Sequence, residues 1–406
     1  MDKLFGEIPR VAVLLPTSVK TCREMLQGVL RYSQLHGPWA LQIVEGREGE
    51  QQLAHFRSWN CTGIIGNLND RFFGPFLAET SAPVVLTNPT NTLRVTDAEP
   101  SSVLGRLVVG VVSCDNAPIG RAAARYFLER GFTNFAFVGD VNDATWSEER
   151  RIAFSAELAA HGHACHVYRV RAMRLRRDAA RERRQLSAWI AALPGRTALF
   201  VANDVRGRQV LDACRDADVS VPSDLSVLSC DNDELYCETS VPQLSSIQMD
   251  AEQAGYAAAA YLDRIMRGRE KRPAKPRSIT YTVAGLVTRY SSETATCRDP
   301  VVERALALIR QGAGDMPTIA ELARRLGVSR RLLELRFRAV LDRTVHEEIV
   351  NVRIDRVKKL LLDTTESVER IAEACGFATT SHLCSVFRRF TGTTPAAYRR
   401  SRRKPL

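Results

Sequence analysis

Apolar residues follow two alternating patterns over residues 9 to about 285. Short continuous apolar runs predict buried strands, and the longer stretches between them, with apolar residues at every third or fourth position, predict amphipathic helices. The predicted strands are Val11–Leu15, Leu41–Val44, Gly63–Ile65, Val84–Leu86, Leu107–Ser113, Phe135–Val138, Ala198–Ala202 and Leu225–Ser229. The predicted helices include Cys22–His36, Ile119–Glu129, Glu149–His161, Gln185–Ala192, Arg206–Ala217 and Ala251–Arg267. Strands that alternate with helices predict parallel sheets covered on both faces, and we expect two such lobes around a cleft at the carboxyl ends of the strands.

The last hundred or so residues carry a different pattern. Two segments, Ile319–Phe337 and Val368–Phe387, repeat one plan of a short helix, a tight turn and a second helix. Each copy has a glycine at the turn and a hydroxyl side chain as N-cap of the second helix: Gly327 and Ser329 in the first copy, Gly376 with Thr379 or Thr380 in the second. Between them Val345–Leu362 predicts one helix of roughly 27 Å. A helix of that length can set the two recognition helices about one DNA turn, near 34 Å, apart.

Charge separates the same two parts of the chain. Residues 298–406 hold 22 Lys and Arg against 13 Asp and Glu, whereas residues 1–297 hold 35 against 33. The positive charge is therefore concentrated in the helical tail, as in a module that binds DNA phosphates beside a nearly neutral partner. Two helix-turn-helix motifs in a basic domain predict a DNA-binding protein.

Other classes of protein find little support. No apolar run is long enough to cross a membrane, and the first residues lack a secretion signal, so we expect a cytoplasmic protein without membrane contact. The ten cysteines contain no CxxC pair, which argues against a zinc cage or a disulfide framework. The stretch HGHACH (161–166) offers metal ligands, but its place at a helix end before a surface strand favours an ordinary loop. Hydrolase, metalloprotease and phosphate-loop motifs are missing, so we predict no enzyme, no metal and no cofactor.

The end of the chain resembles a known family. The dipeptide GF, a capped helix that ends in FRRF, and then TGTTPAAYRR resemble the signature of the AraC family of transcription regulators over about 100 residues. This resemblance implies that the first recognition helix presents Arg330, Arg331, Glu334, Leu335 and Arg338 to DNA, and the second Thr380, Ser381, His382 and Ser385. Leu335 and Ser385 depart from the long polar or basic side chains common in the family. We expect Leu332, Leu333, Phe337, Leu383, Val386 and Phe387 to be core.

The front part resembles the periplasmic-binding-protein-like fold of the LacI/GalR repressors, in the stretches that begin CDNAPIGRAAARYF, WSEERRIAF, LFVANDVRGRQV and LSSIQMDAEQAG. Its fusion to a C-terminal AraC unit is similar to the arrangement of xylose operon regulators. The resemblance implies that Arg150 clamps sugar hydroxyls and that Asp204 and Asp231 accept hydrogen bonds from them, with Asn203 as a further candidate. We expect Trp146 to supply an apolar face for stacking on the sugar ring.

The two carboxylates of this set also have a structural alternative. Asp231 could cap or staple a turn, and Asp204 could be the N-cap of the helix that begins near Arg206. The Arg-dense segment Arg171–Arg184 could face DNA, but the interspersed Asp178 and Glu182 favour a solvated helix. The loop Thr17–Lys20 should lie at the mouth of the cleft.

The predicted fold class is an α/β two-lobed periplasmic-binding-protein-like domain followed by an all-α domain with two helix-turn-helix motifs. We predict a sensor domain at 1–287, a linker at 288–298 and a DNA-binding domain at 299–406. The predicted function is a sugar-responsive transcription regulator, with activation of pentose catabolic genes implied by the resemblance. Its partners would be double-stranded promoter DNA, a monosaccharide effector, RNA polymerase and a second copy of the chain. The alternative is a sugar-binding protein whose tail no longer reads specific DNA, an idea that rests on Leu335 and Ser385.

Overall fold

The computed structural model describes residues 8–43, 59–67, 79–88, 106–142, 144–170, 178–293, 299–311 and 317–402. Its contacts divide the chain into two compact units, Met1–Glu293 and Thr294–Leu406. The first unit is α/β, and in its described residues the second is entirely helical. The fold class predicted from the sequence is therefore confirmed.

The apolar runs of the first unit form the strands of two sheets. The strands are β1 Arg10–Leu14, β2 Ala40–Ile43, β3 Gly63–Gly66, β4 Val84–Thr87, β5 Val108–Cys114, β6 Asn134–Val138, β7 Cys165–Tyr168, β8 Thr197–Val201, β9 Leu225–Cys230, β10 Ser245–Met249, β11 Arg277–Tyr281 and β12 Val283–Val287. Their order is β11-β5-β4-β3-β1-β2 in the first sheet and β12-β10-β9-β8-β6-β7 in the second. All pairs are parallel except β10 with β12. Central strands such as β3, β4 and β8 are buried along their whole length, as parallel strands covered on both faces must be.

Helices connect these strands. They are α1 Lys20–His36, α2 Asn116–Leu128, α3 Thr145–Ala160, α4 Ala179–Ala191, α5 Asp204–Asp216, α6 Glu234–Cys237 and α7 Ala251–Met266. Helices α1 and α7 cross at two glycines: a Cβ on Gly28 would lie 1.9 Å from the Glu252 carbonyl oxygen, and one on Gly255 would lie 2.0 Å from that of Met25. Because no other residue fits there, these glycines permit the close packing of the two helices.

The chain passes between the two lobes at three places, which lie side by side. The Asp115 amide donates to the Tyr281 carbonyl at 2.8 Å, and the Asp250 amide donates to the Thr282 carbonyl at 3.0 Å. In return the Thr282 hydroxyl donates to the Asp115 carbonyl at 3.0 Å. These bonds join the three crossings into one hinge between the lobes.

Residues 288–292 continue the packing of the first unit, within the stretch where the sequence predicts a linker. Ser291 and Ser292 are fully buried. The Ser291 hydroxyl donates to the Val227 carbonyl at 2.6 Å and accepts from the Ser245 amide at 2.8 Å. The chain therefore stays bound to the second sheet for several residues after β12.

The Arg-dense segment needs a correction. Residues 171–177 lie outside the described residues, and Asp178 caps α4. Glu182 is not solvated: it is buried and forms an ion pair with the buried guanidinium of Arg206 on α5. Glu182 is buried, and not solvated as predicted, because α4 packs against α5. A buried charge needs a partner, which Arg206 provides.

The second unit contains the helices α8 Pro300–Gln311, α9 Ile319–Arg325, α10 Arg330–Leu341, α11 Val345–Asp363, α12 Val368–Ala374, α13 Thr380–Thr391 and α14 Pro395–Arg402. It has two small cores, and α11 contributes to both of them. Val345 and Ile349 of α11 pack with α8, α9 and α10, whereas Ile354, Val357 and Leu361 pack with α12 and α13. The two helix-turn-helix motifs are thus held on one shared helix.

Candidate functional site

Arg150 on α3 is the centre of the predicted sugar site. Its side chain is 5% exposed. Nε donates to Oδ1 of Asn116 at 2.9 Å, and Nη1 donates to the carbonyl of Ala202 at the end of β8. In the described part of the chain, the acceptor of Nη2 is the weakly accepting Met249 thioether at 3.6 Å. The guanidinium is therefore firmly held, yet it retains a donor for a better acceptor.

Asp231 follows β9 and lies next to this guanidinium, with Oδ1 3.6 Å from Nη1 of Arg150. Its backbone has a φ of 111°, which side-chain-bearing residues rarely adopt. The side chain keeps 23% exposure. Burial raises the pKa of the Asp231 carboxyl to about 7, although Arg150 opposes the shift. A carboxylate held in this way beside a guanidinium offers an acceptor and a donor to one polar ligand.

Trp146 completes this cluster one turn before Arg150. The guanidinium lies over the indole ring, 4.9 Å from its centroid, and the ring is partly buried against the large core. Trp146, Arg150 and Asp231 are thus brought together, as a site with an apolar face and paired polar groups requires.

Asn203 and Asp204 are placed differently from the other candidates. Asn203 is the N-cap of α5, accepting from the Arg206 amide at 2.9 Å, so the cap is not Asp204. Asp204 is 1% exposed and accepts hydrogen bonds from the hydroxyls of Ser229 and Ser246 and from the Asp233 amide. Burial raises its pKa to about 6. Both Asp204 oxygens are occupied by the protein, so this carboxylate joins the ends of the second sheet.

Sequence reasoning missed Asn116, the first residue of α2. Besides accepting from Arg150, its amide donates to Oε2 of Glu149 at 2.8 Å, and the residue is 4% exposed. Its position directly after β5, at the carboxyl end of a parallel strand, was a signal that could have found it. Tyr281, at the same hinge, was also missed; its hydroxyl donates to Oδ1 of Asn88 at 3.0 Å.

Two ion pairs join the lobes beside the loop that follows β1. Arg23 of α1 pairs with Asp233 at 2.7 Å and also donates to the Thr17 carbonyl at 2.8 Å. Lys20 pairs with Glu234 of α6 at 2.6 Å. Asp233 is almost buried, with 6% side-chain exposure, so its pair with Arg23 is the more strongly shielded from solvent. These contacts hold the two lobes together at the cleft mouth.

Three other features of the first unit and of the helices give no support for a ligand, metal or membrane site. A cavity of about 340 Å³ beside α3 is lined by charged and polar groups that include Asp140, Glu148 and Arg151, but by none of the five predicted sugar residues. The described residues form no cluster of metal-ligating side chains, and HGHACH leads into β7. Among the described helices, none combines the length and apolar character that a membrane span requires.

The predicted DNA face of α10 is largely exposed. Arg330, Arg331 and Arg338 are all exposed to solvent. Glu334 is half-buried, and its carboxylate accepts from the Val345 amide at 3.4 Å, where α11 begins. Ser329 caps α10, as the sequence predicts.

Two leucines of α10 also reach the surface. Leu335 is 58% exposed and Leu332 is 38% exposed. The expectation that Leu332 is core is wrong, because this side chain lies on the same side of α10 as Leu335, one turn away, while Leu333 and Phe337 fill the core.

The second recognition helix, α13, presents a different surface. Ser381, His382 and Ser385 are exposed and Thr380 is half-buried. Thr379 is the N-cap, accepting from the His382 amide at 3.1 Å, and the His382 ring lies edge-on to Phe377 with centroids 5.7 Å apart. The exposed side chains of this face are short and polar, whereas those of the α10 face are long and consist of arginines and leucines.

Comparisons with known proteins agree with both halves of this description. A family described as a periplasmic binding protein-like domain matches residues 124–292, and one described as a helix-turn-helix domain matches residues 322–401. The xylose operon regulatory protein of Escherichia coli K12 is 27% identical over 404 residues, 98% of each chain. That of Haemophilus influenzae is 30% identical over 290 residues, 71% of this chain and 74% of the relative. A solved structure described as the xylose-binding transcription activator xylR matches 99% of this chain and 100% of its own, with 26% identity and a TM-score of 0.76.

Proposed function

Because the chain belongs to the family of xylose operon regulatory proteins, we propose that it is a sugar-responsive transcription regulator that binds D-xylose and acts on promoter DNA. It is a regulator and not an enzyme, as its relatives are. The observation that carries the sugar assignment is the cluster of Trp146, Arg150 and Asp231 at the strand ends of the second sheet. The two helix-turn-helix motifs fit promoter DNA as the partner, and we propose that the protein acts on it in the cytoplasm.

Each cluster residue has a role in binding the sugar. Arg150 donates from Nη2 to a ring hydroxyl, replacing the Met249 thioether as its partner. Asp231 accepts from a neighbouring hydroxyl, and Trp146 packs against the apolar face of the ring. Asn116 acts as a positioning residue, because it holds Nε of Arg150. In this proposal Asn203 and Asp204 shape the site without contacting the sugar, since Oδ1 of Asn203 caps α5 and both carboxylate oxygens of Asp204 accept hydrogen bonds from the protein.

The sugar acts by favouring the closed arrangement of the lobes. A ligand shifts such an equilibrium only by its differential affinity for the two states, typically about 1 to 3 kcal/mol in coupled systems. The hinge of three crossings allows closure, and the Arg23–Asp233 pair adds to it. In a homodimer, closure would change the fit of paired DNA-binding units to their half-sites. We propose that the outcome is activation through contact with RNA polymerase.

Sugar binding is tested by thermal unfolding of the full chain against D-xylose, L-arabinose, D-ribose and common hexoses. All four tryptophans, Trp39, Trp59, Trp146 and Trp189, lie in the first unit, so tryptophan fluorescence reports its unfolding separately. A sugar at 100 times its Kd stabilises this unit by about 2.7 kcal/mol. We expect D-xylose to give the largest shift; no shift with any sugar would refute the effector assignment.

DNA reading is tested separately by selecting bound duplexes from a random library with the full chain. A reproducible enriched sequence supports regulation through specific sites. If binding is equal on all sequences and disappears with rising salt, the tail binds phosphates alone, and the alternative of a sugar-binding protein without specific DNA reading stands.

A further inference from the structure

Helix α10 carries an apolar strip in the middle of its basic face. Leu332 and Leu335 are three residues apart and 38% and 58% exposed. Arg331 and Arg338 lie four residues before and three after Leu335, so they flank it on the same side of the helix. Exposure of two leucine side chains to water is unfavourable. The core of this unit is filled by other residues, so Leu332 and Leu335 are not needed there.

The surroundings of this strip indicate what covers it. Arg330, Arg331 and Arg338 are exposed, and each is a cation that a DNA duplex would neutralise. A helix in the major groove meets one apolar group on the base edges, which is the C5 methyl of thymine. The charge complementarity of the face and the apolar character of its centre therefore fit the same partner.

The second recognition helix lacks such a strip on its predicted DNA face. Its exposed side chains there, Ser381, His382 and Ser385, are polar and short, and Thr380, the residue of this face that carries a methyl group, is half-buried. Hydroxyl and imidazole groups bind bases or phosphates by hydrogen bonds and gain little from a methyl group. Apolar readout should therefore be confined to the half of the site that α10 contacts.

We infer that Leu335, supported by Leu332, reads a thymine methyl group in the major groove. This inference rests on the proposed DNA reading and deepens it, because it names the base that α10 recognises. The departure of Leu335 from a long polar side chain is then a change of specificity from hydrogen bonding to methyl contact.

The test removes single methyl groups from the DNA. The full chain is used to enrich a duplex from a random library, and each thymine of that duplex is replaced in turn by deoxyuridine, which differs only by the C5 methyl. Fluorescence anisotropy then gives the Kd of each duplex. For the wild type we expect one or two thymines at which deoxyuridine raises Kd about fourfold, the change that corresponds to one buried methylene.

The variant Leu335→Ala makes the assignment specific. It should bind the thymine duplex more weakly than the wild type, and the deoxyuridine substitution at the same position should no longer change its Kd. Leu335→Gln should shift the selected base at this position from thymine to adenine, which glutamine can bind through two hydrogen bonds. The matched control is Leu235→Ala, a similarly exposed leucine (68%) in the first unit, which should keep the fourfold effect.

The outcomes separate this inference from the proposed function. If no sequence is enriched, specific DNA reading fails and the inference fails with it. If a sequence is enriched but every deoxyuridine substitution is neutral, only the inference is refuted. It is also refuted if Leu335→Ala retains the fourfold effect, or if that variant changes the stability of the second unit while its Kd for DNA is unchanged.

Discussion

Replacing Asp231 by Asn should stabilise the sensor unit at alkaline pH while it abolishes sugar recognition. The carboxyl is largely withdrawn from solvent, and its pKa is raised to about 7 by burial, against the opposing effect of Arg150. At pH 8 the folded protein therefore holds a carboxylate that its surroundings disfavour. An amide has nearly the same shape and carries no charge, so Asp231→Asn relieves this penalty.

The size of the gain follows from the shift in proton affinity. A tenfold difference in proton affinity corresponds to about 1.4 kcal/mol. The difference between the pKa of an ordinary aspartate and a pKa of about 7 therefore limits the gain in the free energy of unfolding to about 4 kcal/mol at pH 8. The negative charge of Asp204 also raises the pKa of Asp231, so part of this shift belongs to the pair of carboxyls and not to Asp231 alone. We therefore expect a gain of about 1 to 3 kcal/mol in the free energy of unfolding.

The sign of the pH dependence is fixed by the raised pKa. The folded state binds this proton more tightly than the unfolded chain, so the wild type loses stability relative to Asp231→Asn as pH rises from about 4 to 7. The advantage of the variant should therefore be largest at pH 8 and shrink towards pH 5. Urea unfolding followed by tryptophan fluorescence measures it in the first unit alone.

The same samples, with and without D-xylose, test the functional half of the prediction. The wild type should be stabilised by the sugar and the variant should not. Glu129→Gln, which neutralises an exposed carboxylate in the same unit, should change neither quantity. If Asp231→Asn were destabilised by more than about 1 kcal/mol at pH 8, the Arg150–Asp231 pair would outweigh the burial penalty and the reasoning would be wrong.

Three further substitutions test the packing, the lobe contact and the DNA face. Gly255→Ala places a Cβ 2.0 Å from the Met25 carbonyl oxygen and should destabilise the first unit by about 3 kcal/mol in urea unfolding. Arg23→Ala leaves the nearly buried Asp233 without its cation and should raise the Kd for D-xylose about tenfold in titration calorimetry, because the closed lobes lose a contact. Arg331→Ala should weaken binding to the selected duplex by about 1 to 3 kcal/mol and relax its sequence preference at one position.

Each of these has a control and a contrary outcome. Gly285→Ala has open space around its Cβ and should be nearly neutral; equal effects at both glycines would contradict the helix-crossing argument. Arg125→Ala breaks an exposed pair with Glu157 and should leave the sugar Kd unchanged, whereas an equal loss would mean that the Arg23 contact has no special role. A uniform loss on every DNA sequence would reassign Arg331 to phosphate contact.

The parts of the fold that depend on neighbouring residues were predictable. The caps Ser329 and Thr379 and the turn glycines Gly327 and Gly376 occur as the sequence predicts, because capping and turn geometry involve residues only a few positions apart. The alternation of strands with helices was equally readable, since a parallel sheet covered on both faces leaves continuous apolar runs.

The candidate sugar site was only partly predictable. Arg150 and Asp231 were named from family resemblance, but the sequence contains no signal for the 3.6 Å between them. Asn203 and Asp204 are neighbours with similar chemistry, and the one that caps α5 and the one that joins the sheet ends are distinguished only by where Ser229 and Ser246 arrive. The burial of Asp204 is thus a consequence of strand order.

The two-part architecture, the doubly wound sensor, the paired helix-turn-helix motifs and the basic tail could all be derived from the residues alone, because periodicity, capping and charge are local properties of the chain. Which polar groups remain available to a ligand depends instead on tertiary packing. Arg23 and Asp233 lie 210 positions apart and meet because the lobes adjoin, and Leu332 is exposed because α10 packs against its neighbours through Leu333 and Phe337. Contacts of this kind depend on how whole elements pack, which no short stretch of sequence encodes.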